Sequence, residues 1–252
     1  MNAPSNTNSA MATDWLTSLQ SLMATVVIAV FVITYIVQAF QIPSESMENT
    51  LLIGDYLLVD KFCYGGGGPA DHILPYRQVH RGDIIVFHYP VNPAQHFVKR
   101  VVGVPGDRIR LVKKRVFING VPLREPYVHY FKQDNNLFRD DFPRLDFLDP
   151  GINADWWVQM PKLVEDGQLI VPEGHYFAMG DNRDDSSDSR YWGFVPRQNI
   201  IGRPLLIYWS IRNPENDLPM APSLRDRLYH FAYAVTHFFQ ITRWDRTFRR
   251  VS

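Results

Sequence analysis

The sequence predicts a mainly β domain, tethered by one N-terminal transmembrane helix and followed by a C-terminal amphipathic helix. Three observations carry this reading: an uncharged apolar run near the N-terminus, a series of short segments rich in Val, Ile, Phe and Tyr bounded by turn residues, and a tail with apolar residues at helical spacing. The 252 residues are enough for one domain with a sizeable core behind its tether. Lys plus Arg number 26 and Asp plus Glu number 26, so no overall field draws the chain to a polyanion, and nucleic acid is not an expected partner. An aromatic share of 13% argues against disorder. The one cysteine, Cys63, excludes an internal disulfide and a cysteine-based metal site, and reads as a small core hydrophobe.

After a tail over residues 1–21, the predicted anchor covers residues 22–40. Only Thr25, Thr34 and Gln38 are polar there, and no charge appears between Asp14 and Glu45. At about 1.5 Å per residue such a helix spans roughly 28 Å, close to the hydrocarbon thickness of a bilayer. A cleaved secretory leader is the competing reading, but its apolar core is shorter and follows a basic stretch, which residues 1–21 lack. The same lack of Lys and Arg leaves topology open on charge alone.

Residues 41–218 form the predicted β domain. Strand-like runs at 56–62, 83–90, 96–107, 108–123 and 202–211 are bounded by Gly, Pro, Asp or Asn. Asn119-Gly120 suits a type I′ hairpin turn. Residues 63–70 read as a flexible loop, and 129–168 as an inserted excursion off the sheet. In the tail, 219–252, residues Leu224, Leu228, Phe231, Ala232, Val235, Phe238 and Phe239 repeat at helical spacing, and from Ser223 onward six Arg against two Asp make it basic. Such a helix fits an anionic membrane surface or docking on the sheet equally well.

A serine nucleophile needs a group to take its proton. None of the eight histidines lies in a G-x-S-x-G elbow or an H-E-x-x-H pair, so neither an α/β-hydrolase nor a zincin is supported. A lysine inside an apolar strand stands out instead. Strand alternation puts Phe97, Lys99 and Val101 on one face and Val98, Arg100 and Val102 on the other. Apolar flanks disfavour an ammonium, and a fall of about three units from ~10.4 equals roughly 4 kcal/mol of lost charge stabilisation. A snorkelling or salt-bridged strand lysine is the plain alternative. Residues 180–196, GDNRDDSSDSRYWGFVP, read as a loop held by Asx turns and Asp–Arg pairs, or as a solvated charged loop.

Taken together, PSESMENTLLIGD, KRVVGVPGD and GDNRDDSSDSRYWGFVP, in this order behind an apolar anchor, resemble the bacterial type I signal peptidases from about Phe40 to Ile211. The resemblance implies a coiled β-sheet catalytic domain and a membrane-bound serine endopeptidase that removes N-terminal signal peptides. It implies Ser46 as nucleophile and Lys99 as general base. Ser186 would orient the lysine amine, and Ser44, with the Ser46 N–H, would form the oxyanion hole. Ile42, Pro43, Met47, Leu51, Phe97 and Val98 would line shallow pockets for small residues at −1 and −3. Asp181, Asp188, Arg190 and Arg100 would form structural ion pairs. No metal and no cofactor is implied. The implied partners are preprotein signal peptides, the lipid bilayer and, transiently, the secretion translocon, with the N-terminus cytoplasmic and the catalytic domain on the outer face of the cell membrane. One departure is Asn49, where the pattern has proline; it is expected to loosen the turn after the nucleophile. The alternatives are an inactive membrane-anchored peptide-binding protein of the same fold, a serine/lysine protease of another kind, and a tethered structural β protein.

Overall fold

Alternating burial along Asp55–Asp60 shows the half-buried pleat on which the domain is built. In this computed structural model, the structure describes residues 7–64, 77–131, 136–212, 236 and 238–251. Helix α1 (Thr7–Phe31) runs into a π-helical turn, Val32–Ile36. Its apolar window Thr17–Thr34 is long and apolar enough to cross a membrane, and none of it is buried in the protein. The helix does not reach Phe40 as the sequence predicts. Val37–Gln41 instead form strand β1, paired from Val37↔Asp60 to Gln41↔Tyr56 with β2 (Asp55–Asp60). The β-branched run before it favours an extended chain, and β2 offers partners for its backbone groups.

The main sheet is antiparallel. Its order is β1, β2, β12 (Ile200–Ser210), β3 (Ile84–His88), β4 (His96–Gly103), β10 (His175–Met179) and β11 (Val195–Pro196), with β13 (Arg249–Arg250) also paired to β12. β12 joins two halves, pairing with β2 along one stretch and with β3 along another, and its register shifts at three places. Such bulges bend a strand and curl the sheet, and they accommodate Pro204 inside it. The smaller sheet has the order β7 (Val121–Pro122), β6 (Arg115–Ile118), β5 (Arg108–Val112), β9 (Gln168–Ile170) and β8 (Val164–Glu165). Asn119 (φ 51°) and Gly120 (φ 81°) make the expected I′ turn. Lys113 (φ 47°) and Lys114 (φ 69°) make a second one that the sequence does not signal. Their backbone N–H groups donate to the Asp141 carboxylate and the Asp140 carbonyl, so a distant segment holds a conformation lysine disfavours.

That distant segment is the predicted excursion, and it packs into the core rather than standing off the sheet. It carries α2 (Leu137–Asp140) and α3 (Ala154–Gln159), N-capped by Asn136 and Asn153. Phe138, Phe142, Trp156 and Met160 are buried against Val102, Ile109 and Phe177. Cys63 lies at the margin of a second cluster, around Phe87 and Trp192. Helix α4 (Ser189–Trp192) follows the charged loop. Of the expected C-terminal helix, residues 213–235 lie outside the described residues, as does most of the expected loop at 63–70. What is described beyond them, α5 (Phe238–Ile241) and β13, docks on the sheet through Arg243 and Arg246.

Candidate active site

Ser46 sits in a 3₁₀ turn, Glu45–Met47, directly after β1. The turn closes because Thr50 N and Leu51 N both donate to the Met47 carbonyl, at 3.1 and 2.7 Å. Asn49 adopts φ 73° there, so the turn is specified, not loosened. Asn tolerates this left-handed conformation, which proline, locked near −65°, cannot adopt.

The loop after β10 comes to the same place. Asn182 N donates to the Ser46 carbonyl (3.2 Å) and Asn182 Nδ2 to the Glu45 carbonyl (3.4 Å). Gly180 permits this approach, since a Cβ there would overlap both the Ser46 carbonyl oxygen and the Ser186 Oγ. Asn182 was not singled out by the sequence; its place in the dense polar loop was the only signal.

Lys99 lies on β4 opposite Ile85 and is 4% exposed; Ser46 is 9% exposed. Lys99 Nζ is 2.5 Å from Ser46 Oγ, the ammonium donating to the hydroxyl. Burial pushes the amine down to about 8; Asp188 and Asp181 oppose that fall and Arg190 adds to it. The strand alternation holds: Lys99 Nζ is 5.5 Å from the Phe97 ring centre, whereas Arg100 turns away to make a two-pronged pair with Asp181 (2.9 and 2.8 Å). Asp181 also accepts from the Thr50 hydroxyl at 2.6 Å, so one carboxylate ties the Lys99 strand to the Ser46 turn. Asp188 pairs with Arg190 through two 2.8 Å contacts, so the four charged residues of the motifs divide into two separate pairs.

Ser44 Oγ lies 3.4 Å from Ser46 Oγ, at the mouth of the site. Ser186 departs from expectation. It is 8% exposed, but its Oγ has no hydrogen-bond partner among the described residues, so it makes no bond to the amine; it packs beside Gly180 instead. An apolar-walled cleft of about 700 Å³ opens over the dyad, lined by Ile42, Pro43, Met47, Phe97 and Val98 of the expected set. Leu51 is not in the lining. It is fully buried against Leu57, Val59 and Val86, because the turn points it inward. Phe40, Ile53 and His96 complete the apolar and aromatic walls, and Gln41, Glu45, Asp185 and Ser187 add polar lining beside Ser44, Ser46 and Lys99.

Behind the nucleophile turn, Arg246 donates to the Asp55 carboxylate (2.6 Å) and to the Thr50 carbonyl (3.0 Å), while Arg243 reaches the carbonyls of Ile53 and Ile211. These contacts join positions too distant in sequence for any local pattern to signal.

The family model described as "Signal peptidase, peptidase S26" matches residues 14–209. A protein of Pseudomonas aeruginosa named "Signal peptidase I" is 36% identical over 214 residues, covering 74% of this chain and 70% of that one. A second, of Pseudomonas fluorescens, is 39% identical over 197 residues, covering 72% and 68%. A third, of Buchnera aphidicola, is 35% identical over 253 residues, covering 82% and 79%.

Proposed function

This chain belongs to the signal peptidase family, peptidase S26, and on that premise we propose that Ser46 and Lys99 are the dyad with which it removes signal peptides. The protein is a membrane-anchored serine endopeptidase whose substrates are preprotein signal peptides. The observation that carries the dyad is the 2.5 Å approach of the buried Lys99 amine to the Ser46 hydroxyl.

In the reacting form, Lys99 is neutral and accepts the Ser46 proton as Oγ attacks the scissile carbonyl carbon. Ser44 and the Ser46 N–H stabilise the oxyanion, about 3 kcal/mol per donor. The C–N bond breaks, and the Lys99 ammonium returns its proton to the leaving amine. A water then attacks the ester, again giving its proton to Lys99, which passes it to Ser46 as the signal peptide leaves as an acid.

Specificity follows from extended binding beside β4. Alternate side chains face the enzyme, so residues −1 and −3 meet the walls formed by Ile42, Pro43, Met47, Phe97 and Val98 while −2 faces away. With the N-terminus cytoplasmic and the domain on the outer face, Ser46 stands twelve residues past Thr34, the end of the apolar window, near where a substrate's own apolar helix leaves the bilayer. Lipid and, transiently, the translocon are its neighbours there.

The test incubates the full chain in detergent with a model preprotein and locates the cut by mass spectrometry. Ser46→Ala and Lys99→Ala are each expected to lower cleavage at least about a thousandfold with the fold intact. Near wild-type cleavage by either would refute the dyad.

A further inference from the structure

Residues 136–160 lie outside the motifs of the family resemblance, yet they grip the charged loop from two sides. Arg190, 1% exposed, donates through Nη1 to the Arg139 carbonyl at 3.1 Å. Its own carbonyl accepts from the indole N–H of Trp156, also at 3.1 Å. Asn153 N donates to the neighbouring Tyr191 carbonyl at 2.8 Å. Gly193, at φ 92°, lies where a Cβ would press on the Trp156 ring, so loop and indole meet face to face. The Arg139 side chain is itself fixed, donating to Asp140 at 2.8 Å and to the Asp184 carbonyl at 3.4 Å.

What this grip fixes is one ion pair. Arg190 holds Asp188 with two contacts, and Asp188 Oδ2 accepts from Gly180 N at 3.2 Å, beside the nucleophile turn. We propose that the 136–160 segment is a positioning element for the general base, with Trp156 and Arg139 locking Arg190 onto Asp188 so that the pair presents one fixed field to Lys99. The inference rests on the Ser46–Lys99 reading. The charged groups acting on Lys99 are Asp188 and Arg190 from this loop and Asp181 from the start of it. Asp181 is satisfied independently by Arg100 and Thr50, so it stays in place when the Arg190 grip loosens.

The direction follows from the signs. Asp188 favours the Lys99 ammonium and Arg190 disfavours it. A guanidinium that drifts from its seat neutralises Asp188 less and repels Lys99 less, and both changes raise the amine.

The test measures kcat/KM against pH for the full chain, which reports the free enzyme's essential base. Wild type is expected to rise through a midpoint near 8. Trp156→Phe keeps an aromatic ring, smaller than the indole, and removes the N–H donor; Arg139→Met removes the grip on Asp140 and Asp184. Each is expected to shift the midpoint to higher pH by about 0.5 unit, lowering the rate at pH 7 about threefold. A merely structural role would lower thermal stability and leave the midpoint unmoved. If Trp156→Phe does not fold, Arg139→Met decides. An unmoved or acid-shifted midpoint in the folded variants overturns the inference and leaves the dyad standing. A wild-type profile without a midpoint near 8 sinks the dyad reading itself, and this inference with it.

Discussion

Replacing Lys99 by Met should remove activity and stabilise the fold at neutral pH. Methionine matches the length and volume of the lysine stem without its charge. In the folded protein the amine titrates at about 8, against 10.5 for an unhindered lysine, a difference of 10.5 − 8 = 2.5 units. At 1.36 kcal/mol per unit, burying the ammonium costs the native state about 3 kcal/mol at neutral pH. The sign is definite. Between pH 8 and 10.5 the unfolded chain holds this proton and the folded one does not, so wild-type stability rises with pH across that window. Below pH 8 the whole penalty applies; above 10.5 it is gone. The advantage of Lys99→Met over wild type should therefore shrink by about 3 kcal/mol between pH 7 and 10.5. Every other titrating group contributes to both proteins and cancels in the difference. Denaturant unfolding of both chains in detergent, followed by the fluorescence of their six tryptophans, measures it at each pH. A stability difference that stays flat from pH 7 to 10.5 would refute a depressed Lys99.

Two further changes test the surroundings of the dyad. Asn49→Pro imposes φ near −65° on a residue that stands at 73°, and should cost about 3 kcal/mol and most of the activity, whereas Asn49→Gly should be nearly neutral by thermal unfolding and cleavage assay. Arg246→Met leaves the Asp55 carboxylate buried with Ser210, Leu52 N and a more distant Arg243 as its remaining partners. The variant should unfold about 2–4 kcal/mol more easily in a denaturant titration, and a change under about 0.5 kcal/mol would show that the pair contributes nothing.

The parts of this protein legible in its sequence are those whose determinants are local. Continuous runs of Val, Ile and Phe mark β3 and β4, Asn119-Gly120 marks its turn, and the apolar neighbours of Lys99 permit a desolvated amine that the fold then buries. All four residues of the two ion pairs lie within the quoted motifs, but which acid meets which arginine is visible only in the fold. What stayed hidden depends on partners elsewhere. Residues 37–40 read as helix until β2 is beside them. Leu51 belongs to the pocket by resemblance but to the core by the direction of its turn, and Ser186 points its hydroxyl at no partner among the described residues. The excursion at 129–168 looks dispensable in one dimension, since only the folded chain brings Trp156 under Arg190.

Arg246 and Thr50 are 196 positions apart, and the first braces the turn that carries the reacting serine. The entropy of closing so large a loop grows only slowly with its length, so a contact this distant in sequence can still hold the turn in place. The turn that carries Ser46 is therefore held from both ends of the domain, and a break at either one reaches it. A chain ending at residue 242 loses Arg243 and Arg246 and should cut more slowly, and full turnover by it would show that the brace is dispensable.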